Sequence, residues 1–398
     1  MLIGVVGKPS CGKSTFFKAA TLAEVEIANY PFTTIKPNHG IGFVRIECVC
    51  KEFETQCHPR VGYCVKGQRF VSMDMIDVAG LVPGAHKGEG MGSQFLNDLN
   101  QADALIHVID ASGSINEKGE PVAVGSYDPV NDVRFLEEEL DYWYLDILKK
   151  GWEKFARTVQ QTHSEVHKAI GKQLSGLGVD EVMCEQAIKE LGLSGNPTEW
   201  KEDELFRLAQ VLRKRTKPMM IAANKIDVAG AKENVERLKK EFPDYLIVEC
   251  SAESELALKE AAKHELIAYV PGDGSFSFLQ EEKLNEKQKG ALSFIQTSVL
   301  DLYGSSGVQQ VLNAVVFDLL EYIAIFPGGV NNLADSDGNV LPDCFLMKPK
   351  SSALDFAFKL HTDFGKNFIK AINVKKKLPV GREYLLEHRD VIEIHSKT

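Results

Sequence analysis

Eight residues close to the amino terminus constrain this 398-residue chain more than any other feature: Gly7-Lys8-Pro9-Ser10-Cys11-Gly12-Lys13-Ser14. They follow the short apolar run Leu2 to Val6 and lead into Ser14 to Ala20, a stretch of helical character. The pattern G-x-x-x-x-G-K-[ST] between a strand and a helix suits phosphate. Its glycines let the backbone curl so that successive N–H groups point at phosphate oxygens, and the helix N-terminus adds positive potential. Lys13 then reaches the β- and γ-phosphates, and the Ser14 hydroxyl is a ligand for Mg²⁺. Average residue usage produces the bare pattern by chance in about one chain in 100 of this length; the strand–loop–helix context makes coincidence rarer. Gly7, Ser10, Cys11, Gly12, Lys13, Ser14 and Thr15 are therefore read as a nucleotide-phosphate loop.

Further short apolar runs follow. Phe70 to Ile76, Ala104 to Ile109, Pro218 to Ala223 and Leu246 to Cys250 look like strands buried on both faces, and Asp77 and Asp110 stand at the ends of the first two. Strand–helix alternation argues for a doubly wound parallel α/β sheet. Between Asp132 and Lys217 the character changes: Phe135, Leu136, Leu140, Trp143, Tyr144, Ile147 and Leu148 recur at helical spacing, as do residues in Phe155 to Leu174 and Leu205 to Leu212. This predicts a helical insertion built as a hairpin of long helices, with its aromatic residues packed between them. Ala291 to Leu320 reads as helix again. The last segment has short strands at Cys344 to Met347 and Val391 to His395 around a helix beginning near Ala353, the pattern of a small α+β module. The expected division is a discontinuous P-loop domain at 1–131 and 217–321, a helical insertion at 132–216 and a carboxyl-terminal module at 322–398.

Asp77-Val78-Ala79-Gly80 sits where a metal-side aspartate belongs, with Asp77 holding Mg²⁺ through water and the Gly80 amide meeting the γ-phosphate. The glycines that follow, Gly84, Gly88, Gly90 and Gly92, suit a segment that changes shape. Thr33 and Thr34 lie between the phosphate-loop helix and the next strand, where a threonine offers a hydroxyl to Mg²⁺ and an amide to the γ-phosphate. Asn224-Lys225-Ile226-Asp227 closes an apolar strand. A carboxylate there accepts from guanine N1–H and the N2 amine, whereas adenine would leave Asp227 facing a lone pair. An unpaired buried polar group costs about 1–3 kcal/mol, more when charged. Lys225 lays its stem along the base, and the Ala252 amide of Ser251-Ala252-Glu253 is placed for guanine O6. The expected nucleotide is GTP or GDP.

The net charge of −10 speaks against general charge-driven nucleic-acid binding, although from Tyr322 onward 11 Lys and Arg face 9 Asp and Glu. No run of about 18 apolar residues exists. Met1 leads straight into Leu2 without a basic stretch, so no signal peptide and no membrane association are expected. Eight scattered cysteines suit a reducing cytoplasm. Cys48, Cys50, Cys57 and Cys64, with His58 beside them, have spacing C-x-C-x₆-C-x₆-C, which lacks the paired knuckles of common zinc sites; isolated packed thiols are expected. Cys11 is a candidate oxidation-sensitive thiol, and Lys375-Lys376-Lys377 reads as a solvated turn in reach of RNA.

Together these segments resemble the Obg-related GTPases, most closely YchF-type proteins of the archaeal sort. The resemblance rests on Asn29-Tyr30-Pro31-Phe32-Thr33-Thr34, on Asp77 through His86, on Gly88-Glu89-Gly90-Met91-Gly92, and on a tail like a TGS domain of β-grasp fold, Ala353 to Phe358 with Val391 to Ile394. It covers essentially the whole chain. It implies that Thr34 is the switch threonine and that intrinsic turnover is slow, because Leu81 stands where many GTPases carry a water-orienting glutamine. His86 is the local candidate for that role. Relatives that accept ATP often have another acid in the base motif; Asp227 departs from them. Ser10 replaces an asparagine that holds a monovalent cation in potassium-dependent relatives, so no potassium requirement is carried over. The expected protein is a cytoplasmic, monomeric GTPase switch using Mg²⁺ and meeting ribosome or RNA through its TGS and helical parts. An ATPase of this family, or a nucleotide-binding module with negligible hydrolysis, is the alternative.

Overall fold

A computed structural model describes residues 1–22, 38–78 and 98–397. Its strands, in chain order, are β1 (Leu2–Val6), β2 (His39–Glu47), β3 (Tyr63–Val65), β4 (Gln68–Asp77), β5 (Ala104–Asp110), β6 (Met219–Asn224), β7 (Ile247–Glu249), β8 (Ile267–Ala268), β9 (Ser277–Phe278), β10 (Ile323–Pro327), β11 (Phe345–Met347), β12 (Phe368–Asn373), β13 (Leu378–Val380) and β14 (Val391–Ser396). The chain divides into two compact units, Met1–Phe17 with Met75–Ala252, and Lys18–Asp74 with Glu253–Thr398.

In the first unit β1, β5, β6 and β7 run parallel, with Val5 opposite Ile106, Val108 opposite Ala222 and Ala222 opposite Val248. Every residue of β5 and β6 is buried, as expected for strands covered on both faces. The end of β4 lies on the other side of β1, so the order around β1 reverses there. Open α/β sheets bind ligands outside their carboxyl ends at such a reversal. Residues 130–216 are helical, with five helices: Val130–Lys149, Trp152–Gln161, Val166–Leu174, Glu181–Leu191 and Glu202–Thr216. The expected hairpin of long helices is thus a larger bundle. Phe155 to Leu174 is not one helix but two, broken around His163, whose φ is 52°. The aromatic residues are core, as expected: Trp143 and Tyr144 are buried, and Trp152 stacks on Trp200 at 5.6 Å. Between the first and last helices the fully buried Arg213 donates from Nε to Asp141 Oδ1 at 2.8 Å, and Gln210 donates to the same carboxylate at 2.9 Å.

In the second unit, order β11-β10-β14-β12-β13 forms a mixed sheet in which only β10 and β14 pair in parallel. The helix Ala353–Leu360 packs Ala353 and Phe356 onto Ile325, Ala371 and Ile392. Ser352 caps that helix and Asp355 returns a bond to the Ser352 amide, a reciprocal arrangement that fixes where it starts. This is the small α+β module expected at the carboxyl terminus. Of the expected lysine turn, Lys375 pairs with Glu52 and Lys376 with Glu387, both at 2.7 Å. The expected helix Ala291 to Leu320 is broken at Gly304 and Gly307, both of positive φ. Elsewhere in this unit β3 pairs antiparallel with β4, and Tyr63 stacks on Phe70 at 4.3 Å. Cys48, Cys50, Cys57 and Cys64 are not isolated thiols as their spacing suggested. β3 and the loop before it fold back on the end of β2, bringing all four sulfurs within 4.8 Å of one another.

Candidate nucleotide site

Of the nucleotide-site residues singled out in the sequence, the described ones gather at the carboxyl ends of β1, β4, β5, β6 and β7. The loop after β1 needs left-handed backbone at Ser10 (φ 64°) and Gly12 (φ 93°). A Cβ at Gly12 would lie 2.2 Å from Asn224 Nδ2, and one at Gly7 would lie 2.5 Å from the Val108 carbonyl oxygen. Both glycines are therefore required by close neighbours, and Gly12 by its conformation as well. The loop ends where the helix Lys13–Thr21 begins, with no acidic residue in its first turn to compete for an anion. Lys13 Nζ donates to Asp77 Oδ1, and Ser14 Oγ lies 3.5 Å from Asp77 Oδ2. The phosphate-loop lysine, a hydroxyl and a carboxylate thus share one spot. The oxygen donors Ser14 and Asp77 suit a hard cation.

At the end of β6, Asn224 fastens the motifs together. Its Nδ2 donates to the Cys11 carbonyl at 3.0 Å, and its Oδ1 accepts from the Ala252 amide, also at 3.0 Å. Lys225 takes left-handed backbone (φ 65°), and its Nζ donates to Asp110 Oδ2 at 3.0 Å. Asp110 also accepts from the Ser112 amide and from the Ser112 and Ser114 hydroxyls. Burial works to raise the Asp110 carboxyl, but these bonds and the Lys225 charge hold it below its ordinary value. Asp227 is half-buried beside Cys250, whose thiol is pushed up by burial and further by the Asp227 charge. Ser251 is fully buried between β7 and the helix that starts at Ala252.

Sequence reasoning missed a brace behind the loop. Lys8 is buried and donates to the Ile115 carbonyl at 2.8 Å and to Asp132 at 2.9 Å, while its ammonium lies 3.9 Å from the Tyr127 ring centre. Tyr127 OH donates to the same Asp132 oxygen. The only sequence signal was a lysine and an aspartate more than a hundred residues apart. Cys11 is fully buried, and burial raises its thiol to about 11, so it is not the reactive thiolate that its place in the loop suggested. Thr33, Thr34, Gly80, Leu81 and His86 lie outside the described residues.

Comparison with known proteins agrees with this geometry. Residues 2–130 match the family model of the 50S ribosome-binding GTPase, residues 222–330 that of the Obg-like GTPase YGR210-like, G4 motif-containing domain, and residues 337–396 that of the TGS domain. The chain is 50% identical over 396 residues to an uncharacterized GTP-binding protein of Methanocaldococcus jannaschii, covering 99% of each. It is 27% identical over 420 residues to the ribosome-binding ATPase YchF of Bacillus subtilis, covering 98% of this chain and 97% of that one. The crystal structure of a GTP-binding protein from Pyrococcus horikoshii OT3 matches with a TM-score of 0.79 at 40% identity, covering 100% of both chains. Among the described residues no helix is long and apolar enough to cross a membrane. The chain belongs to the Obg-like GTPase family and is homologous to YchF, with a P-loop GTPase domain and a carboxyl-terminal TGS domain.

Proposed function

We propose that this protein binds GTP and hydrolyses it slowly to GDP and phosphate, and that its nucleotide state governs docking to the ribosome. One observation carries the reading: Asn224, Asp110 and Lys225 hold the guanine-type motif against the phosphate loop, with Asp227 next in sequence. In this reading Asp227 accepts from guanine N1–H and N2, and Lys225, anchored by Asp110, lies along the base. Gly7 to Thr15 cradle the phosphates through backbone N–H groups. Mg²⁺, when bound, draws charge from the phosphate oxygens and suits the Ser14 hydroxyl and Asp77 carboxylate, with Thr34 as the third candidate ligand. Lys13 exchanges its bond to Asp77 for phosphate oxygens. The Gly80 amide meets the γ-phosphate, and His86 orients the attacking water in place of Leu81, which has no hydrogen-bonding group. The functional division follows the sequence: a GTPase domain at 1–131 and 217–321, a helical insertion at 132–216 and the TGS module at 322–398, in a monomer acting in the cytoplasm.

The relative from Bacillus subtilis is named a ribosome-binding ATPase, which supports the ribosomal part of this reading and supplies the competing one, adenine selection. Equilibrium binding of GDP, GTP, ADP and ATP analogues, repeated with Asp227→Asn, separates the two. Guanine preference lost on substitution is expected. Adenine binding as tight as guanine binding would make this chain an ATPase.

A further inference from the structure

The cysteine cluster in the second unit takes no part in the nucleotide site. Cys48 follows β2, Cys50 sits in the single 3₁₀ turn Val49–Lys51, Cys57 lies in the loop beyond and Cys64 is in β3. Three of the four are buried. Cys48 and Cys57 have sulfurs 3.6 Å apart, and Cys50 and Cys64 have sulfurs 4.0 Å apart. Both separations are far beyond a disulfide bond of about 2.05 Å. A Zn–S bond of about 2.3 Å places the corners of a sulfur tetrahedron about 3.8 Å apart, between the two observed values. Thiols that merely fill a core have no reason to aim four sulfurs at one point.

A second observation comes from Arg69, which lies on β4 opposite Cys64 and is 1% exposed. Its Nη1 is 3.6 Å from Cys57 Sγ and 3.1 Å from the Leu341 carbonyl oxygen, and its Nη2 is 2.9 Å from the Pro342 carbonyl oxygen. Among the described residues no carboxylate pairs with it. A buried guanidinium needs an anion, and four neutral thiols supply none. Four thiolates on a divalent ion carry a net charge of −2, and such a site gives Arg69 its partner.

We propose that Cys48, Cys50, Cys57 and Cys64 hold one zinc ion in a closed tetrahedral site, with Arg69 as its outer charge partner. Four protein sulfurs leave no open coordination position, so the site is structural. Its work is to shape the loop 48–64, which donates from the His58 amide to the Val340 carbonyl at 2.8 Å and from the Arg60 amide to the Pro342 carbonyl at 3.0 Å, and pairs Arg60 with Asp335 at 2.6 Å. The metal thereby fixes the strap 335–342 between β10 and β11 of the TGS module.

The full-length protein, purified under reducing conditions, is assayed for metal by elemental analysis, then stripped with a chelator and titrated with cobalt(II). One zinc per chain is expected, as are the visible bands of tetrahedral thiolate-bound cobalt, bleached by added zinc. The Cys50→Ser/Cys64→Ser variant loses both signals, whereas Cys184→Ser, outside the cluster, keeps both. On stripping, amide exchange at 335–342 accelerates at least about tenfold. Neither zinc nor a cobalt spectrum from the native chain would overturn the proposal, as would iron in place of zinc or two disulfides among the four cysteines. The cobalt spectrum of the unsubstituted chain decides the matter even if the double variant does not fold.

Discussion

Asn224 accepts a bond from a residue 28 positions away and donates to one 213 positions away, so one side chain holds the phosphate loop, β6 and the helix at Ala252 in register. Asn224→Ala leaves the Cys11 carbonyl and the Ala252 amide without that partner, a loss of about 1–3 kcal/mol for each unmade buried bond. Affinity for guanine and adenine nucleotides is expected to fall together, by about 10- to 100-fold, as read by fluorescent-nucleotide titration. Asp227→Asn should weaken guanine alone, and equal losses in both variants would remove Asp227 from base selection. Asp110 makes a pH prediction. Its carboxyl is depressed in the folded chain, so it adds stability that is complete above the ordinary Asp range near about pH 4 and is lost as pH falls through its lower folded value. Urea midpoints of Asp110→Asn should therefore change less than those of the parent on acidification below about pH 4; parallel decline would refute the depressed value. These motif residues were legible because each chemistry needs a fixed spacing within a few positions. Lys8, Asp132 and Tyr127 were not, because their meeting depends on how the chain returns from residues 115–132 to the back of the loop.

Elements were legible where burial is symmetric. The runs that became β1, β5 and β6 are almost wholly apolar, and β5 and β6 are buried at every residue. The three-residue strands β3 and β13 carry too few residues to show a period, and β10 was hidden against the turn at Pro327-Gly328-Gly329. The break in the helical segment at His163 has no glycine or proline to mark it, only Thr162-His163-Ser164 competing for backbone bonds, with Thr162 and Ser164 hydroxyls 2.8 Å apart. The helical bundle also contains what hydrophobic spacing cannot reveal, the buried Arg213–Asp141 pair between its first and last helices. Asp141→Ala leaves the buried guanidinium with Glu137 alone, 3.5 Å away and partly exposed, and should cost about 3–5 kcal/mol, whereas Asp141→Leu with Arg213→Met should be close to neutral. Denaturant midpoints of the two variants check this, and equal destabilisation would mean that packing, not the unpaired charge, sets the cost.

At the scale of the whole molecule, chain connectivity matters more than any one motif. The helix Lys13–Thr21 and the strand β4 each begin in one compact unit and end in the other. These are also the elements that carry Lys13, Ser14 and Asp77. Unfolding either unit alone would require breaking a helix and a strand in mid-course, at the cost of their backbone bonds. One cooperative transition is therefore expected on heating, although the first unit holds the candidate nucleotide residues and the second the TGS module. A ligand that binds only the folded chain raises its stability by about 2.7 kcal/mol when present at 100 times its dissociation constant. GDP with Mg²⁺ should move the entire transition upward, while ADP at the same concentration should leave it in place. Calorimetry that resolves two transitions, with only one responding to GDP, would show that the shared helix and strand do not couple the units. A shift by ADP as large as that by GDP would instead overturn the choice of base while leaving the coupling intact.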